Sequence, residues 1–311
     1  MKLIPIISSL SIFGATQSFV PTARFGVRSS SRAASNHKSF EFAILFDCDG
    51  VILETEELHR VAYNEAFQEF DLTIDGVPVH WSTEYYDVLQ NSIGGGKQKM
   101  FFHFRNTTQT FPHVGDQPPP TTLEAQQELI DQLQTFKNKV YQRIMKEQAE
   151  PRPGLLELMD EALADDTVAV GVCSASTKES ALQTLDYTLG PERVAKLDVC
   201  ILGDDVAAKK PDPLIYNVAR ERLGIEDPNV CVVIEDSLIG LRAAKGAGMK
   251  CVITYTSGTE HCDFYGEGAD AKVPDLGSRK VTLNSILGPL REKGLDAQIM
   301  EDIRDPVTVS V

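Results

Sequence analysis

Between residues 168 and 254, short apolar runs alternate with amphipathic stretches, and this alternation limits the fold more than any other feature. The runs at 168–172, 199–202, 230–234 and 250–254 are rich in Val, Ile and Cys, with few polar residues inside them. Continuous apolar runs of that length suit strands buried on both faces. The stretches at 177–189, 212–223 and 238–246 repeat their apolar residues at helical spacing. Strands joined through helices run parallel. The pattern therefore predicts an α/β fold, a doubly wound, Rossmann-like parallel sheet with helices on both faces.

An earlier strand, Ala43-Ile44-Leu45-Phe46, ends abruptly in Asp47-Cys48-Asp49-Gly50. A helical block then interrupts the alternation. Residues 56–70 carry Leu58, Val61, Ala62, Ala66 and Phe67 at helical spacing, and 81–89 reads as a second helix. The loop Ile93-Gly94-Gly95-Gly96-Lys97 follows, and Gly115 with three successive prolines breaks the chain at 113–120. A long helix over 122–148 has Thr121 and Glu124 at capping-box spacing, and Pro151-Arg152-Pro153-Gly154 ends it. The predicted organisation is a core made of 41–57 and 151–275, with an all-helical cap inserted at 58–150. Residues 276–311 form a weakly patterned tail.

In a doubly wound sheet, ligands gather at the carboxyl ends of the strands. Polar residues stand at four such ends. The first strand delivers Asp47 and Asp49, and the second ends Cys173-Ser174-Ala175-Ser176 ahead of a helix whose free N–H groups suit an anion. Lys209-Lys210-Pro211-Asp212-Pro213 opens the next helix, and Ile234-Glu235-Asp236-Ser237 closes a later strand. Each has a plainer reading by itself: a solvated turn, a helix N-cap, a surface charge. Four sets at corresponding strand ends are harder to obtain by accident.

This motif order resembles the haloacid dehalogenase superfamily. The match is closer to its β-phosphoglucomutase-like branch, and closest to the CbbY-like group, over about residues 42–271. That group shares the glycine loop at 93–97, Arg152-Pro153-Gly154, Leu189-Gly190-Pro191-Glu192-Arg193, Lys210-Pro211-Asp212-Pro213 and Glu235-Asp236-Ser237. The resemblance implies that Asp47 is a nucleophile forming an aspartyl-phosphate and that Asp49 is the general acid and base. It implies Mg²⁺ held by Asp47, the carbonyl of Asp49 and Asp236, with Glu235 as a direct or indirect ligand. Ser174 and Lys210 would hold phosphoryl oxygens. Around the substrate it places Glu56, Gly94, Gly95, Gly96, Lys97, Gln98, Lys137, Ser174, Ala175, Ser176 and Lys178, with Lys97 meeting a second phosphate. Glu54, where many relatives have Asp, and Gln134, where plant relatives have His, depart from the pattern. The implied activity is a Mg²⁺-dependent sugar-bisphosphate phosphatase, with xylulose 1,5-bisphosphate as the foremost substrate. A mutase of the β-phosphoglucomutase type and a catalytically inactive binding protein are the alternatives.

Composition narrows the partners and the compartment. The formal charge of −15 argues against nucleic acid, which needs a basic face. Residues 1–38 hold five basic residues and no acidic one, so their removal would take the charge five units lower. Within them an apolar run at 3–15, too short to span a bilayer, precedes an Arg- and Ser-rich stretch. The junction Ala15-Thr16-Gln17-Ser18-Phe19-Val20-Pro21 resembles the bipartite leaders of complex plastids. The expectation is a leader over 1–38, a stromal mature form without membrane attachment, and a monomer. The six cysteines show no metal-type spacing, and four lie in or beside strand-like runs as small hydrophobes.

Overall fold

Strand β1 (Phe42–Phe46) is buried along its whole length and lies in the middle of the sheet. The protein is represented by a computed structural model that describes residues 39–306 apart from residue 94. The leader expected over 1–38 and the glycine-loop position Gly94 lie outside the described residues.

After β1 the chain forms α1 (Thr55–Glu69), β2 (Leu72–Ile74), β3 (Val77–Pro78), α2 (Thr83–Ser92) and α3 (Gly96–Phe102). A π-helical turn (His103–Thr107), β4 (His113–Val114) and α4 (Leu123–Gln148) follow. Regular alternation then resumes with α5 (Leu155–Ala164), β5 (Val168–Cys173), α6 (Lys178–Thr188), α7 (Gly190–Val194), β6 (Val199–Ile201) and α8 (Leu214–Arg222). The last elements are β7 (Cys231–Glu235), α9 (Leu238–Gly246), β8 (Lys250–Thr254), β9 (Ala271–Val273) and α10 (Leu283–Lys293).

Six strands form one parallel sheet in the order β6-β5-β1-β7-β8-β9. The chain fills the β5-β6 side first and then crosses to β7, so the order reverses between β1 and β7. That reversal opens a crevice at the carboxyl ends of these two strands. Successive residues of β1 face opposite sides. Ile44 and Phe46 pack with Leu155, Leu158, Ile286 and Leu287, while Ala43 and Leu45 pack with Ile215, Tyr216, Leu241 and Phe264.

The segment from α1 to α4 has its own aromatic core of Tyr63, Phe67, Trp81, Tyr86 and Phe104 with Leu129, Ile130 and Leu133. Trp81 is fully buried, with ring centroids 4.9 Å from both Tyr63 and Phe67. Removing such a side chain typically costs about 3–5 kcal/mol. Helices dominate this segment, and a small antiparallel sheet, β3-β2-β4, is folded in between them. The side chain capping α4 is Thr122, one residue later than the capping-box spacing suggests.

The tail has a defined place. Leu283, Ile286, Leu287 and Leu290 of α10 enter the first core with Ile299 and Met300. Their i, i+3, i+4, i+7 spacing is a helical signal masked by Gly288-Pro289, which ordinarily argues against a helix interior. All six cysteines are free. Among the described residues no helix is long and apolar enough to cross a membrane.

Candidate active site

The β1 ladder carries one rung beyond the strand, because Asp47 N–H donates to the Ile234 carbonyl at 2.9 Å. The chain then turns sharply: Ile52 N–H returns to the Cys48 carbonyl at 2.9 Å, and Gly50 has φ +84°. This turn leaves Asp47 7% exposed at the crevice. Lys210 Nζ donates to Asp47 Oδ1 at 2.5 Å, to Glu235 Oε1 at 2.6 Å and to the Cys173 carbonyl at 3.1 Å. Those three bonds use all three ammonium protons. The Lys210-Pro211 peptide is cis.

Glu235 is wholly buried, and a Cβ at position 240 would lie 1.9 Å from its carboxyl carbon, so Gly240 makes the space it occupies. Oε1 also accepts the Tyr216 hydroxyl at 2.6 Å, while Oε2 accepts Asp236 N–H at 3.2 Å and Ser237 Oγ at 3.3 Å. Burial pushes the Asp47 carboxyl up to about 7, with Lys210 opposing and Glu235 and Asp49 reinforcing. Burial, then Glu235 and Asp47, also raise Asp236. For Lys210 burial works against the charge, but the Asp47 and Glu235 carboxylates hold it above the ordinary lysine range.

Three carboxylates around one ammonium leave negative charge uncompensated. Asp47, Glu235 and Asp236 each offer an oxygen within 4.8 Å of the others. An all-oxygen anionic set of this kind fits a hard divalent cation. Because the Glu235 oxygens already accept four donors, Asp47 and Asp236 are the better placed to bind it.

Asp49 stands nearer the opening. Its Oδ1 accepts Thr55 Oγ1 at 3.1 Å, its Oδ2 accepts Ser176 Oγ at 2.5 Å, and Ser174 Oγ lies 3.5 Å from Oδ2. Ser174 is fully buried and its Oγ accepts Ser176 N–H, while Ala175 and Ser176 are half-buried beside it. The Asp49 pocket, about 240 Å³, is also lined by Glu56, Tyr86, Gln90, Asp236 and Thr256. A larger open hollow on the outer face of α4, around Phe70, Leu123 and Phe136, holds none of these groups.

Lys137 of α4 is almost fully buried, within electrostatic reach of Glu56, which lines this pocket. Its Nζ lies 2.8 Å from His59 Nδ1 and over the rings of Tyr63 and Tyr141. Burial, then Lys99, lowers the Lys137 amine to about 8, with Glu56 opposing. Burial, then Lys137 and Lys99, pushes His59 down to about 3, so the neutral ring accepts the lysine proton. Lys99 Nζ stands 5.4 Å from the Tyr86 ring centre. Two ammonium groups that raise each other's energy in a half-dry space suit an anion.

Other expected substrate contacts point elsewhere. Lys97 is 46% exposed and pairs with Asp131 at 2.8 Å on the outside of α3. Gln98 is also exposed, and a Cβ at Gly95 would lie 2.4 Å from its Oε1. Lys178 is exposed at the start of α6, its N–H bonded to Asp204. Gly96 does face inward: a Cβ there would meet Gln134 Oε1 at 2.3 Å and Tyr63 Oη at 2.5 Å. Gln134 Oε1 is buried without a hydrogen-bond partner. Sequence reading overlooked Thr55, Lys99 and Tyr216. Only Tyr216 left a legible signal, a polar aromatic at a core-facing helix position whose hydroxyl needs a buried partner.

Comparison with known proteins agrees with this geometry. The family model for haloacid dehalogenase-like hydrolases matches residues 43–248. A haloacid dehalogenase-like hydrolase domain-containing protein of Arabidopsis thaliana is 44% identical over 287 residues, covering 89% of this chain and 89% of its own length. A CBBY-like protein of the same plant is 40% identical, over 79% of this chain and 72% of its own. Among solved structures, an Asp-to-Asn variant of CbbY from Rhodobacter sphaeroides in complex with xylulose-(1,5)bisphosphate matches with a TM-score of 0.56. It is 31% identical, over 78% of this chain and 96% of its own.

Proposed function

The chain belongs to the haloacid dehalogenase-like hydrolase family and is a phosphoric monoester hydrolase, and on that footing we propose a Mg²⁺-dependent sugar-bisphosphate phosphatase that acts on xylulose 1,5-bisphosphate. The observation that carries the reading is the buried Asp47–Lys210–Glu235–Asp236 constellation at the β1/β7 crevice. The reading is supported by Lys99 and Lys137 of the α1–α4 segment, both within electrostatic reach of Glu56 in the Asp49 pocket. The first group suits the phosphoryl centre and the second suits a distal phosphate.

Asp47 attacks phosphorus and carries the phosphoryl group as an acyl phosphate. Asp49, held by Thr55 and Ser176 at the mouth, gives a proton to the leaving sugar oxygen and then takes one from water. Ser174 holds a phosphoryl oxygen as charge develops, and Lys210 joins it by exchanging its present bond to Asp47 as the phosphoryl group arrives there. Mg²⁺, when bound by Asp47 and Asp236 with the Asp49 carbonyl, supplies positive charge that offsets the meeting of two anions. Lys99, Lys137 and the Gly96 backbone orient the far phosphate. In this reading residues 41–57 with 151–275 act as the core and 58–150 as the cap that selects the substrate.

A phosphate-release screen across sugar mono- and bisphosphates, with and without Mg²⁺, tests the proposal. Turnover that needs Mg²⁺ and favours the bisphosphate is expected. Isomerised sugar phosphate without free phosphate would turn the assignment to a mutase. The acid-free segment 1–38 and the plant relatives support plastid targeting of the precursor. Secretion of a fluorescent protein fused to residues 1–40 would refute that part.

A further inference from the structure

Arg152 belongs to a sequence motif that the proposed chemistry leaves unused. It stands where the chain re-enters the sheet layer after α4, and it is 8% exposed. One terminal nitrogen donates to the Gly50 carbonyl at 2.5 Å and to the Thr254 carbonyl at 2.7 Å. The other donates to the carbonyls of Tyr255 and Pro274, both at 2.7 Å. Its Nε faces Glu54 Oε1 at 3.4 Å. The backbone joins in, since Arg152 N–H donates to the Ile52 carbonyl at 2.9 Å. All five guanidinium protons are thus directed, four of them at main-chain oxygens from three separate segments.

Those segments are the turn bearing Asp49, the exit of β8 and the exit of β9. The backbone at Gly50 also passes close against Asp236, since a Cβ there would lie 2.1 Å from Oδ2. Beyond Tyr255 the chain runs into Thr256, Ser257, Gly258 and Thr259, which line the pocket. Glu54 lies in the connection leading into α1, and Arg152 in the connection returning from α4. One planar side chain therefore ties both linkers to the turn that aims Asp49. The short-range demand is for a rigid five-donor fork, which lysine cannot supply.

We propose that Arg152 is a positioning residue for the phosphatase reaction. Its guanidinium holds the Gly50 turn against the β8 exit, so that Asp49 stays aligned with Asp47 whatever the load on the two linkers. Glu54 keeps the fork oriented toward those carbonyls. This inference rests on the phosphatase reading, so wild-type protein is assayed in parallel. Absence of phosphate release by the wild type would defeat that reading, whereas the outcomes below concern Arg152 alone.

Arg152→Lys and Arg152→Ala are compared with wild type for kcat, KM and melting temperature on the preferred substrate. Misplacement of a reacting group by about 1 Å costs on the order of 100-fold in rate, so kcat should fall by roughly 10- to 100-fold. KM should stay within about 3-fold, because the distal-phosphate groups are untouched. An open cavity of about 650 Å³ borders the side chain, so added guanidinium should restore part of the kcat of Arg152→Ala. A purely structural arginine would lower the melting temperature but leave kcat per folded molecule unchanged, with no rescue, and either result overturns the proposal. Should both Arg152 variants fail to fold, Glu54→Gln decides: a several-fold loss of kcat at constant KM supports the role. Unchanged kcat in Glu54→Gln overturns it.

Discussion

Replacing Gly50 by alanine is the most direct test of how tightly the acidic cluster is built. The backbone at Gly50 has φ +84°, and a Cβ added there would lie 2.1 Å from Asp236 Oδ2 and 2.4 Å from its Cγ. Real Cβ atoms essentially never come within 3.0 Å of such neighbours. Asp236 must therefore retreat by about 1 Å, a displacement that costs on the order of 100-fold when it separates reacting or charge-bearing groups. The left-handed backbone adds about 1–2 kcal/mol of instability for any residue with a Cβ. Gly76 separates the two effects. It has φ +77° in the tight turn between β2 and β3, and a Cβ there meets nothing within 4 Å. Gly76→Ala should lower the melting temperature and leave kcat alone. Gly50→Ala should lower both kcat and the apparent affinity for Mg²⁺. Phosphate release at a series of Mg²⁺ concentrations, with thermal melts on the same preparations, reads all of this. If Gly50→Ala loses no more activity than Gly76→Ala, the crowding of Asp236 against the turn has no bearing on turnover.

Asp47→Asn keeps the volume of the side chain and removes its charge. It should abolish phosphate release while circular dichroism stays native, and an active, folded variant would rule out Asp47 as nucleophile. Under the proposed function Lys99→Ala would remove a charge-assisted contact of about 1.5–3 kcal/mol to the distal phosphate, so kcat/KM for the bisphosphate should fall roughly 10- to 150-fold. Lys97→Ala, which breaks only an exposed pair with Asp131, should change it little. p-Nitrophenyl phosphate, lacking a distal phosphate, should be insensitive to both, and the reverse ranking of the two lysines would refute the placement of α3. His59 is held near 3 in the folded protein, against 6.5 when exposed. The folded state therefore binds fewer protons than the unfolded one below about pH 6.5, and stability present above that pH is lost as the pH falls. Melting temperatures from about pH 7 to about pH 5 should drop less for His59→Gln than for wild type, and parallel curves would show that His59 titrates normally.

Much of the catalytic layer is legible because buried parallel strands write themselves as continuous apolar runs. Val232, Val233 and Ile234 leave no doubt about β7, and the acids that follow them fall at the crevice by geometry alone. The cap contacts resist such reading. Lys97 and Lys99 lie in one short run, and on a helix each residue turns the chain by about 100°, so two residues exchange inside for outside. Read as a loop, the segment favours Lys97; with α3 starting at Gly96 the inward group is Lys99. The same limit hides Thr55, whose contact with Asp49 depends on where the turn after Gly50 hands over to α1. For α10 the periodic signal is present, but Gly288 and Pro289 carry the stronger local prior against a helix.

The first core closes only when its last residues arrive. β1 pairs Phe42 with Val168 and Ala43 with Cys231, and its outer cover includes Ile286, Leu287 and Met300. Both strands that pair with the central strand come more than 100 residues later in the chain. A ribosome-bound chain that has completed β1 and even α4 therefore holds an unpaired, fully apolar strand with nothing to pair against. Folding of this kind is slow and late, because distant segments must meet before any contact rewards them. The α1–α4 segment, whose aromatic core is local, can collapse early and stand as a folded lobe on an unfinished base. Loss of even the α10 segment should accordingly leave a protein whose lobe is ordered and whose catalytic sheet is not.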